Sequence, residues 1–332
     1  MKKLLTLIVF IIGIVLYSTD VHAEQATPKP VIIDTDFASD CDDILALRLA
    51  MIYDTMGYID IKGIALSTNY SRSPQAVSSL LKIDGFPSVP ISMGTDYNYS
   101  VQVATKYVDV LCSYGGYSDY IDTVPMYRKI LAESTEKVDI ITLGFLQNIE
   151  RLLISGPDQY STLSGANLVA EKVDKIYIVG GNFNGSPSFN FYWTGDVVKD
   201  AAQYVNANCP VPIVYLTSAL GGDVWNCSYH QSDWKPSDPV TACLKANGQS
   251  TGIIGWDTAA MYGYIHCVIG DNVEEGMMLV PGRMSIWENG STKWINNDQS
   301  KDFVLMKVNP GQYYSDKIDA LLYKKHMEVK GR

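Results

Sequence analysis

Aspartates are concentrated in one short stretch of the sequence. The apolar run VII at residues 31–33 leads into DTDFASDCDD, in which five of ten residues are aspartate. Carboxylates crowded at the end of a buried strand repel one another, and a helix N-terminus offsets only about 1 kcal/mol of that cost per residue. A divalent cation would relieve the repulsion, and hard oxygen ligands favour Ca²⁺ or Mg²⁺. The aspartates are Asp34, Asp36, Asp40, Asp42 and Asp43.

The residues of this stretch alone leave three interpretations open. In the first, Asp42 and Asp43 begin a helix and the other aspartates form a solvated acidic loop. In the second, the chain is a phosphotransferase, since DxD after an apolar strand also opens haloacid-dehalogenase-type phosphatases. In the third, it is a metal-assisted glycosidic hydrolase, whose cation holds sugar hydroxyls and a water. A phosphatase of that type needs a lysine on a later strand with an acidic pair nearby, and the sequence offers no convincing version.

Strand and helix patterns alternate along the chain and must position these aspartates. Apolar runs predict strands in PVIIDTD, DIKGIAL, SVPIS, VDIITL, KIYIV and PIVYLT, with helical patterns between them. Near the C-terminus, GMMLVPGRMSIWENGSTKWI predicts a hairpin that turns at Asn289 and Gly290. The predicted fold class is therefore α/β, an open, mostly parallel sheet with helices on both faces and a C-terminal hairpin. Ligands of such sheets bind outside the carboxyl ends of the strands, where the aspartates fall.

Five segments in order resemble the inosine-uridine-type nucleoside hydrolases. DTDFASDCDDILAL resembles the opening signature of that family, with two additional residues before the final aspartate pair. GIALSTN, ITLGFLQNIERLL, VGGNFNGSPSFNFYWTGD and GWDTAAMYGYI resemble its later segments. The resemblance covers roughly residues 30–325 and implies a nucleoside-hydrolase-like fold. It also implies a Ca²⁺-dependent enzyme that releases a base from a ribonucleoside.

The resemblance implies a metal centre and a catalytic base. Asp36, Asp43 and Asp257 would bind Ca²⁺ through their side chains, and Leu143 would bind it through its main-chain carbonyl. Asp34 would support these ligands. Asp36 would also activate the Ca²⁺-bound water that attacks the N-glycosidic bond.

The resemblance also implies a ribose site. Asp42 would bond a ribose hydroxyl, Asn190 would hold the 2′ and 3′ hydroxyls, and Asn182 would hold the 5′ hydroxyl, with Asn184 as a rival for that role. Asn69 would face the ribose. Binding through the cis-diol positions the sugar and would disfavour deoxyribose.

The chain departs from the family pattern at the base side of this site. Trp256 stands where many members carry a histidine that helps to protonate the leaving base, and Ser188 stands where the family has a glutamate. TDYNYSVQVATKY replaces a His-Gly-x-x-Gly segment after the third strand. Trp256 would either stack on the base or pack in the core. Tyr192 and Trp193 would either line a base pocket or pack, and packing is the favoured expectation. Two alternatives to nucleoside hydrolysis follow: a ribose- or nucleoside-binding protein with weakened catalysis, and a hydrolase of another N-riboside.

Composition limits the partners and the location. The formal net charge is −10 without a basic run, which argues against nucleic acid and anionic membranes as partners and favours a small neutral or cationic molecule. Residues 1–23 read as a secretory signal peptide, so we expect an exported protein, periplasmic or secreted, with one domain over residues 24–332. A homo-oligomer is compatible with the sequence, which does not define the oligomeric state. Cys227 and Cys243 bracket a loop-like segment and are the expected disulfide partners.

Overall fold

The computed structural model describes residues 27–94, 104–183, 185–193, 195–226 and 238–330. The strands are β1 Lys29–Thr35, β2 Ile59–Leu66, β3 Ile91–Met93, β4 Val138–Thr142, β5 Val173–Val179, β6 Ile213–Leu216, β7 Trp225–Asn226, β8 Ile253–Ile254, β9 Met277–Ile286, β10 Thr292–Asn296 and β11 Asp302–Lys307. The helices are α1 Asp43–Thr55, α2 Ser73–Asp84, α3 Thr105–Cys112, α4 Thr123–Glu133, α5 Gln147–Ile154, α6 Gly165–Lys172, α7 Phe189–Tyr192, α8 Asp196–Asn208, α9 Ser218–Gly221, α10 Pro239–Ala246, α11 Trp256–Ile269 and α12 Gly311–Lys330.

Nine of these strands form one sheet in the order β10-β9-β11-β6-β5-β4-β1-β2-β3. The strands from β1 to β6 pair in parallel, β11 continues the parallel pairing beside β6, and β9 is antiparallel to both β11 and β10. The chain winds outward from β1 through β2 to β3, then returns to β4 on the other side of β1. Strand order therefore reverses between β1 and β4, and a ligand crevice is expected at the carboxyl ends of these two strands.

Alternate residues of β1 face two separate hydrophobic cores. Val31 and Ile33 pack into a core formed with α1, α2, α3, α10, α11 and α12. Ile32 packs into a second core formed with α4, α5, α6 and α8. Because side chains alternate along a strand, Asp34 points toward the second group of helices and Thr35 toward α1. This alternation places Asp34 and Thr35 beside different groups of helices.

The predicted α/β fold class is confirmed, including the C-terminal hairpin of β9 and β10 with Gly290 in its turn at a φ of 73°. The sequence patterns did not predict the short helices α7 and α9 or the two-stranded sheet of β7 and β8. Cys227 lies outside the described residues. The expected bridge from Cys227 to Cys243 therefore also lies outside the described residues, and Cys243 is a buried thiol that donates to the carbonyl of Tyr107 at 3.4 Å. Among the described helices, none has the length and apolar character that crossing a bilayer requires.

Candidate metal centre and substrate cavity

Three carboxylates from two distant parts of the chain meet at the carboxyl end of β1. Asp36 and Asp43 flank the loop that follows this strand, and Asp257 comes from the first turn of α11. Each offers an oxygen, and these oxygens lie within 4.8 Å of one another. All three side chains are buried. A hydrogen bond of 2.9 Å from the Asp257 amide to Asp42 Oδ2 joins α11 to the loop, so the sequence-predicted ligands do converge.

The loop between Asp36 and Asp42 has an unusual backbone. Ala38 has a φ of 90° and is the only non-glycine residue of the described chain with a positive φ. Its amide donates to the hydroxyl of Tyr107 at 2.7 Å, and its carbonyl accepts from the Ala104 amide at 3.0 Å. A non-glycine residue in this region costs about 1–3 kcal/mol and persists only where its surroundings hold it. The two additional residues of the motif are thus accommodated by a turn that α3 supports.

Neighbouring polar side chains hold Asp34, at the end of β1, and Asp43, at the start of α1. Asp34 Oδ2 accepts from the Tyr127 hydroxyl and from the Asn148 amide, both at 2.8 Å. Thr35, which points to the other face, donates its hydroxyl to Asp43 Oδ1. Asp34 is thus held by α4 and α5 at the end of β1, and its support of the metal ligands stays a prediction.

The end of β4 approaches the cluster very closely. A Cβ on Gly144 would collide with the Cβ of Asp36 and would lie 2.6 Å from the Asp36 nitrogen, so only glycine fits here. The preceding Leu143 lines the cavity above the cluster. Its carbonyl accepts from the side-chain amide of Asn190 at 2.6 Å, and the same amide donates to the Val179 carbonyl at 3.0 Å. Asn190 thereby ties the carboxyl ends of β4 and β5 together.

Burial raises the pKa of every carboxyl group in this cluster. Desolvation is the largest cause for each, and it raises the pKa of Asp34 and of Asp36 to about 7. The pKa values of Asp42, Asp43 and Asp257 lie well above the usual range, through desolvation first and then through repulsion from neighbouring carboxylates. Ionising them all in this environment is costly unless a positive charge is close.

The donor set fits a hard divalent cation. Every candidate ligand atom is an oxygen, and Asp43 Oδ2 is buried without a hydrogen-bond partner among the described residues. A buried carboxylate oxygen without a partner is unfavourable, and a cation would satisfy it. The three carboxylates leave room for carbonyl and water ligands, as Ca²⁺ accepts.

A second group, His266, Asp271 and Glu275, also has three ligand atoms within 4.8 Å of one another. There, the ring nitrogens of His266 contact Asp271 at 2.6 Å and the Tyr53 hydroxyl at 3.2 Å. Lys317 donates to both oxygens of Glu275 at 2.7 Å. These groups satisfy one another, so we assign no metal to them.

A cavity of about 590 Å³ opens above the metal cluster. Asp36, Asp42 and Asp257 lie on its wall together with Asn190, Asn182 and the main chain of Gly180 and Gly181. Aromatic residues form another part of the wall: Trp256 is 38% exposed, Phe189 41% and Trp193 54%. The rings of Phe189 and Trp193 stack at a centroid distance of 4.6 Å. A polar, acidic part and an apolar, aromatic part therefore share one cavity, as a sugar attached to a flat ring would require.

The remaining sequence-predicted site residues are placed as follows. Asn182 lies on the cavity wall, where its amide donates to the Pro187 carbonyl at 2.9 Å and its Oδ1 accepts from the Ser218 hydroxyl. Ser188 accepts from the Gly181 amide at 2.9 Å. Asn69 is half-buried after β2 and does not belong to the described cavity lining. Asn184 lies outside the described residues.

Several cavity residues were not assigned to the site from sequence. Packing was the favoured expectation for Trp193, which stacks on Phe189 but is also 54% exposed and lines the cavity. Phe189 and Asp40 were given no role. Phe189 and Trp193 are four residues apart in the sequence, a spacing that places two side chains on one side of a helical turn. This spacing was the sequence signal that could have assigned both residues to one wall of the cavity. Other polar lining residues without an assigned role are Ser39, Ser218, Asn247 and Gln249.

Comparison with solved structures identifies the class of fold. A purine-preferring ribonucleoside hydrolase from Gardnerella vaginalis superposes with a TM-score of 0.67 at 14% identity over 90% of this chain and 100% of that chain. The inosine-uridine preferring nucleoside hydrolase of Bacillus anthracis gives 0.66 at 14% over 89% and 99%. A plant nucleoside hydrolase gives 0.65 at 19% over 90% and 99%. No protein-family model and no curated protein matches the sequence. The chain therefore has the nucleoside-hydrolase fold, and its chemistry has to be inferred from its own site.

Proposed function

We propose that the protein hydrolyses the N-glycosidic bond of ribonucleosides and releases ribose and a free base. The observation that carries this proposal is the convergence of Asp36, Asp43 and Asp257 within 4.8 Å at the floor of a cavity whose wall is partly aromatic. The carboxylates suit the sugar end of such a substrate and the aromatic wall suits its base. The fold shared with nucleoside hydrolases supports the same reaction.

The proposed cofactor is Ca²⁺, held by Asp36, Asp43, Asp257 and the carbonyl of Leu143. When bound, the cation would offset the charge of the carboxylates and polarise a water and the ribose hydroxyls. Thr35 keeps the side chain of the proposed ligand Asp43 oriented through the hydrogen bond described above. Such outer hydrogen bonds commonly decide how well a metal is held.

The catalytic base is Asp36, which lies on the cavity wall and belongs to the carboxylate cluster. It takes a proton from the water that attacks C1′ as the bond to the base breaks. Asp42 and Asn190 line the same cavity and are the proposed contacts of the ribose hydroxyls, with Asn182 toward the 5′ end. These groups fix the sugar while positive charge develops on its ring.

The base is proposed to lie against Trp256. This residue precedes the metal ligand Asp257, and its side chain is exposed on the cavity wall. Stacking on the indole positions a flat base and stabilises it by about 0.5–1.5 kcal/mol.

Release of free base and reducing ribose from a ribonucleoside panel tests the proposal. The Asp36→Asn variant should lose at least about 100-fold in kcat because the proton acceptor is gone, while the fold persists. Asp196→Asn is a matched control, since the Asp196 side chain is 84% exposed on α8. Normal turnover in the Asp36 variant, or full activity after exhaustive removal of metal, would refute the mechanism.

A second candidate is a protein that binds ribose or ribonucleosides without efficient cleavage. Ser188 favours it, because this side chain is engaged by the Gly181 amide instead of providing an acidic contact to the sugar. Calorimetry distinguishes the two. Stoichiometric binding of a ribonucleoside with no product over hours would favour the binding protein.

The proposed location is outside the cytoplasm, with residues 1–23 removed as a signal peptide. Expression of the full chain followed by cell fractionation and N-terminal sequencing tests this. A protein that begins at residue 24 in an exported fraction is the expected result, and an uncleaved chain in the cytoplasm would contradict it.

A further inference from the structure

The described lining of the substrate cavity is acidic and contains no histidine that could protonate a leaving base. Four lining residues are aspartates, and none of the described ones is lysine, arginine, histidine, cysteine or tyrosine. The aspartates are Asp36, Asp40, Asp42 and Asp257. A bound dication would offset only two negative charges, and Asp43 adds another carboxylate beneath the wall. With all five carboxylates ionised, the cavity would stay negative even with a dication bound.

Asp40 contributes a carboxylate to this cavity that the metal cluster does not use. It lies on the cavity wall and is half-buried, outside the group formed by Asp36, Asp43 and Asp257. One of its oxygens accepts from the Cys41 amide at 2.6 Å, which fixes the side chain. A fixed carboxylate in a partly desolvated cavity attracts a cationic ligand and repels an anionic one.

The aromatic wall has the same preference. Trp256, Phe189 and Trp193 each expose more than a third of their surface and line the cavity. The face of an aromatic ring attracts a cation, tryptophan most strongly. Flat cationic rings are therefore stabilised by both parts of the wall.

From the acidic and aromatic parts of the cavity wall, we infer that the preferred substrates are cationic N-ribosides, such as N-ribosylpyridinium or N7-alkylated purine ribosides. This inference rests on the proposed function. In these molecules the ring nitrogen bonded to C1′ belongs to a positively charged ring. As the water oxygen bonds to C1′, the C1′–N bond breaks and its electron pair moves into the ring and cancels the charge. The water proton goes to Asp36. The base leaves as a neutral molecule without being protonated, so the reaction needs no acid at the base side.

The inference also excludes a class of substrate. A 5′-phosphate would bring negative charge into a cavity whose described lining contains no basic side chain. We therefore expect phosphorylated ribosides to bind poorly, even when their base is cationic.

Two matched pairs of substrates test the inference with the metal-loaded protein. Guanosine and 7-methylguanosine differ by one methyl group and one positive charge, and nicotinamide riboside differs from its 5′-phosphate only at the sugar. Ribose or ribose phosphate release is measured and corrected for spontaneous hydrolysis. General acids typically contribute about 100- to 10,000-fold, so kcat/KM for 7-methylguanosine should exceed that for guanosine at least about 100-fold. Nicotinamide riboside should be cleaved, and its 5′-phosphate much more slowly.

The outcomes separate this inference from the proposed function. Equal or faster cleavage of guanosine would overturn the inference and leave the proposed function intact. Ribose release from none of the four compounds would refute the proposed function and the inference with it. Efficient cleavage of the 5′-phosphate would show that the cavity does not reject anions and would contradict the charge reasoning.

The Asp40→Asn variant tests the role of that carboxylate. Loss of one nearby charge should raise KM for 7-methylguanosine about tenfold, with a smaller change in its kcat. The ratio of kcat/KM between 7-methylguanosine and guanosine should fall by a similar factor. If Asp40 were instead the acid that protonates neutral bases, the variant would lose kcat for guanosine and keep 7-methylguanosine turnover, which would overturn the assignment. Asp196→Asn, exposed on α8, is the control that should change neither ratio.

Discussion

The buried position of Asp34 predicts how the stability of the metal-free protein depends on pH. Asp34 is fully buried, and desolvation raises its pKa from 3.8 to about 7. A carboxyl group with a raised pKa in the folded state binds its proton more tightly there than in the unfolded chain. Its contribution to stability is complete below pH 3.8 and is lost as the pH rises through 7.

The magnitude follows from the two pKa values. Each unit of difference corresponds to about 1.36 kcal/mol, so a shift of about 3 units costs the folded state about 4 kcal/mol once Asp34 is ionised. Between pH 5 and pH 8 the part of this cost that Asp34 adds is about 3 kcal/mol, because the remainder has already appeared below pH 5. Asp36 has a similarly raised pKa and adds to the same loss.

Urea unfolding of metal-free protein at pH 5 and pH 8 measures this loss. The Asp34→Asn variant keeps an oxygen that can accept from Tyr127 and Asn148 but carries no charge. Its loss of unfolding free energy between the two pH values should be about 3 kcal/mol smaller than that of the natural sequence. Asp196→Asn on the surface should leave the difference unchanged.

An Asp34 variant with the same pH dependence as the natural sequence would show that burial does not raise this pKa. Added Ca²⁺ provides an independent check. It should stabilise the protein more at pH 8 than at pH 5, because carboxylate ligands must lose their protons to bind it. Equal stabilisation at both pH values would contradict the assignment of buried carboxylates as ligands.

Two further predictions concern the close contact at Gly144 and the buried ion pairs of Arg48. Gly144→Ala should weaken Ca²⁺ binding in calorimetry and destabilise the protein by about 1–3 kcal/mol, since the new methyl group would collide with Asp36. Gly156→Ala is the control, because a Cβ added there would have no heavy atom within 4 Å. Equal effects of the two substitutions would contradict the close-approach explanation. Arg48→Met should cost about 3–5 kcal/mol in urea unfolding, because it leaves the buried Asp84 and Asp238 without their shared cation. Lys62→Met, which removes an exposed ion pair, should cost less than about 1 kcal/mol, and a similar loss in the two variants would contradict the burial argument.

The parallel sheet could be predicted from sequence because its strands are short apolar runs separated by helical patterns. The run at residues 31–33 is buried on both faces, as its continuous apolar character requires. The helix α7 has only four residues and α9 also has four, so neither carries a periodic pattern that could be recognised. Their positions depend on packing against distant parts of the chain.

Parts of the site could be anticipated only by comparing distant segments. The aspartates after β1 indicated a cation, but nothing local connects them to Asp257, which lies 215 residues beyond Asp42. The sequence could not decide whether Trp193 packs or lines a pocket, because a local pattern does not show which surface faces a cavity. Phe189 stacks on Trp193 and on the buried Phe145. Phe189 and Trp193 line the cavity, whereas their aromatic character alone would predict a position in the core.

The start of α11 carries both a proposed metal ligand, Asp257, and the proposed base contact, Trp256. Gly221 of α9 packs so closely on this helix that an added Cβ would lie 2.5 Å from the Trp256 Cα. The Asp257 amide is held by Asp42, and the two successive residues Trp256 and Asp257 present an aromatic ring and a carboxylate to the same cavity. Because one helix start carries both groups, a shift of α11 would move the ring and the proposed ligand together. In the proposed function, the spacing between the sugar end and the base end of the cavity therefore depends on the backbone of these adjacent residues.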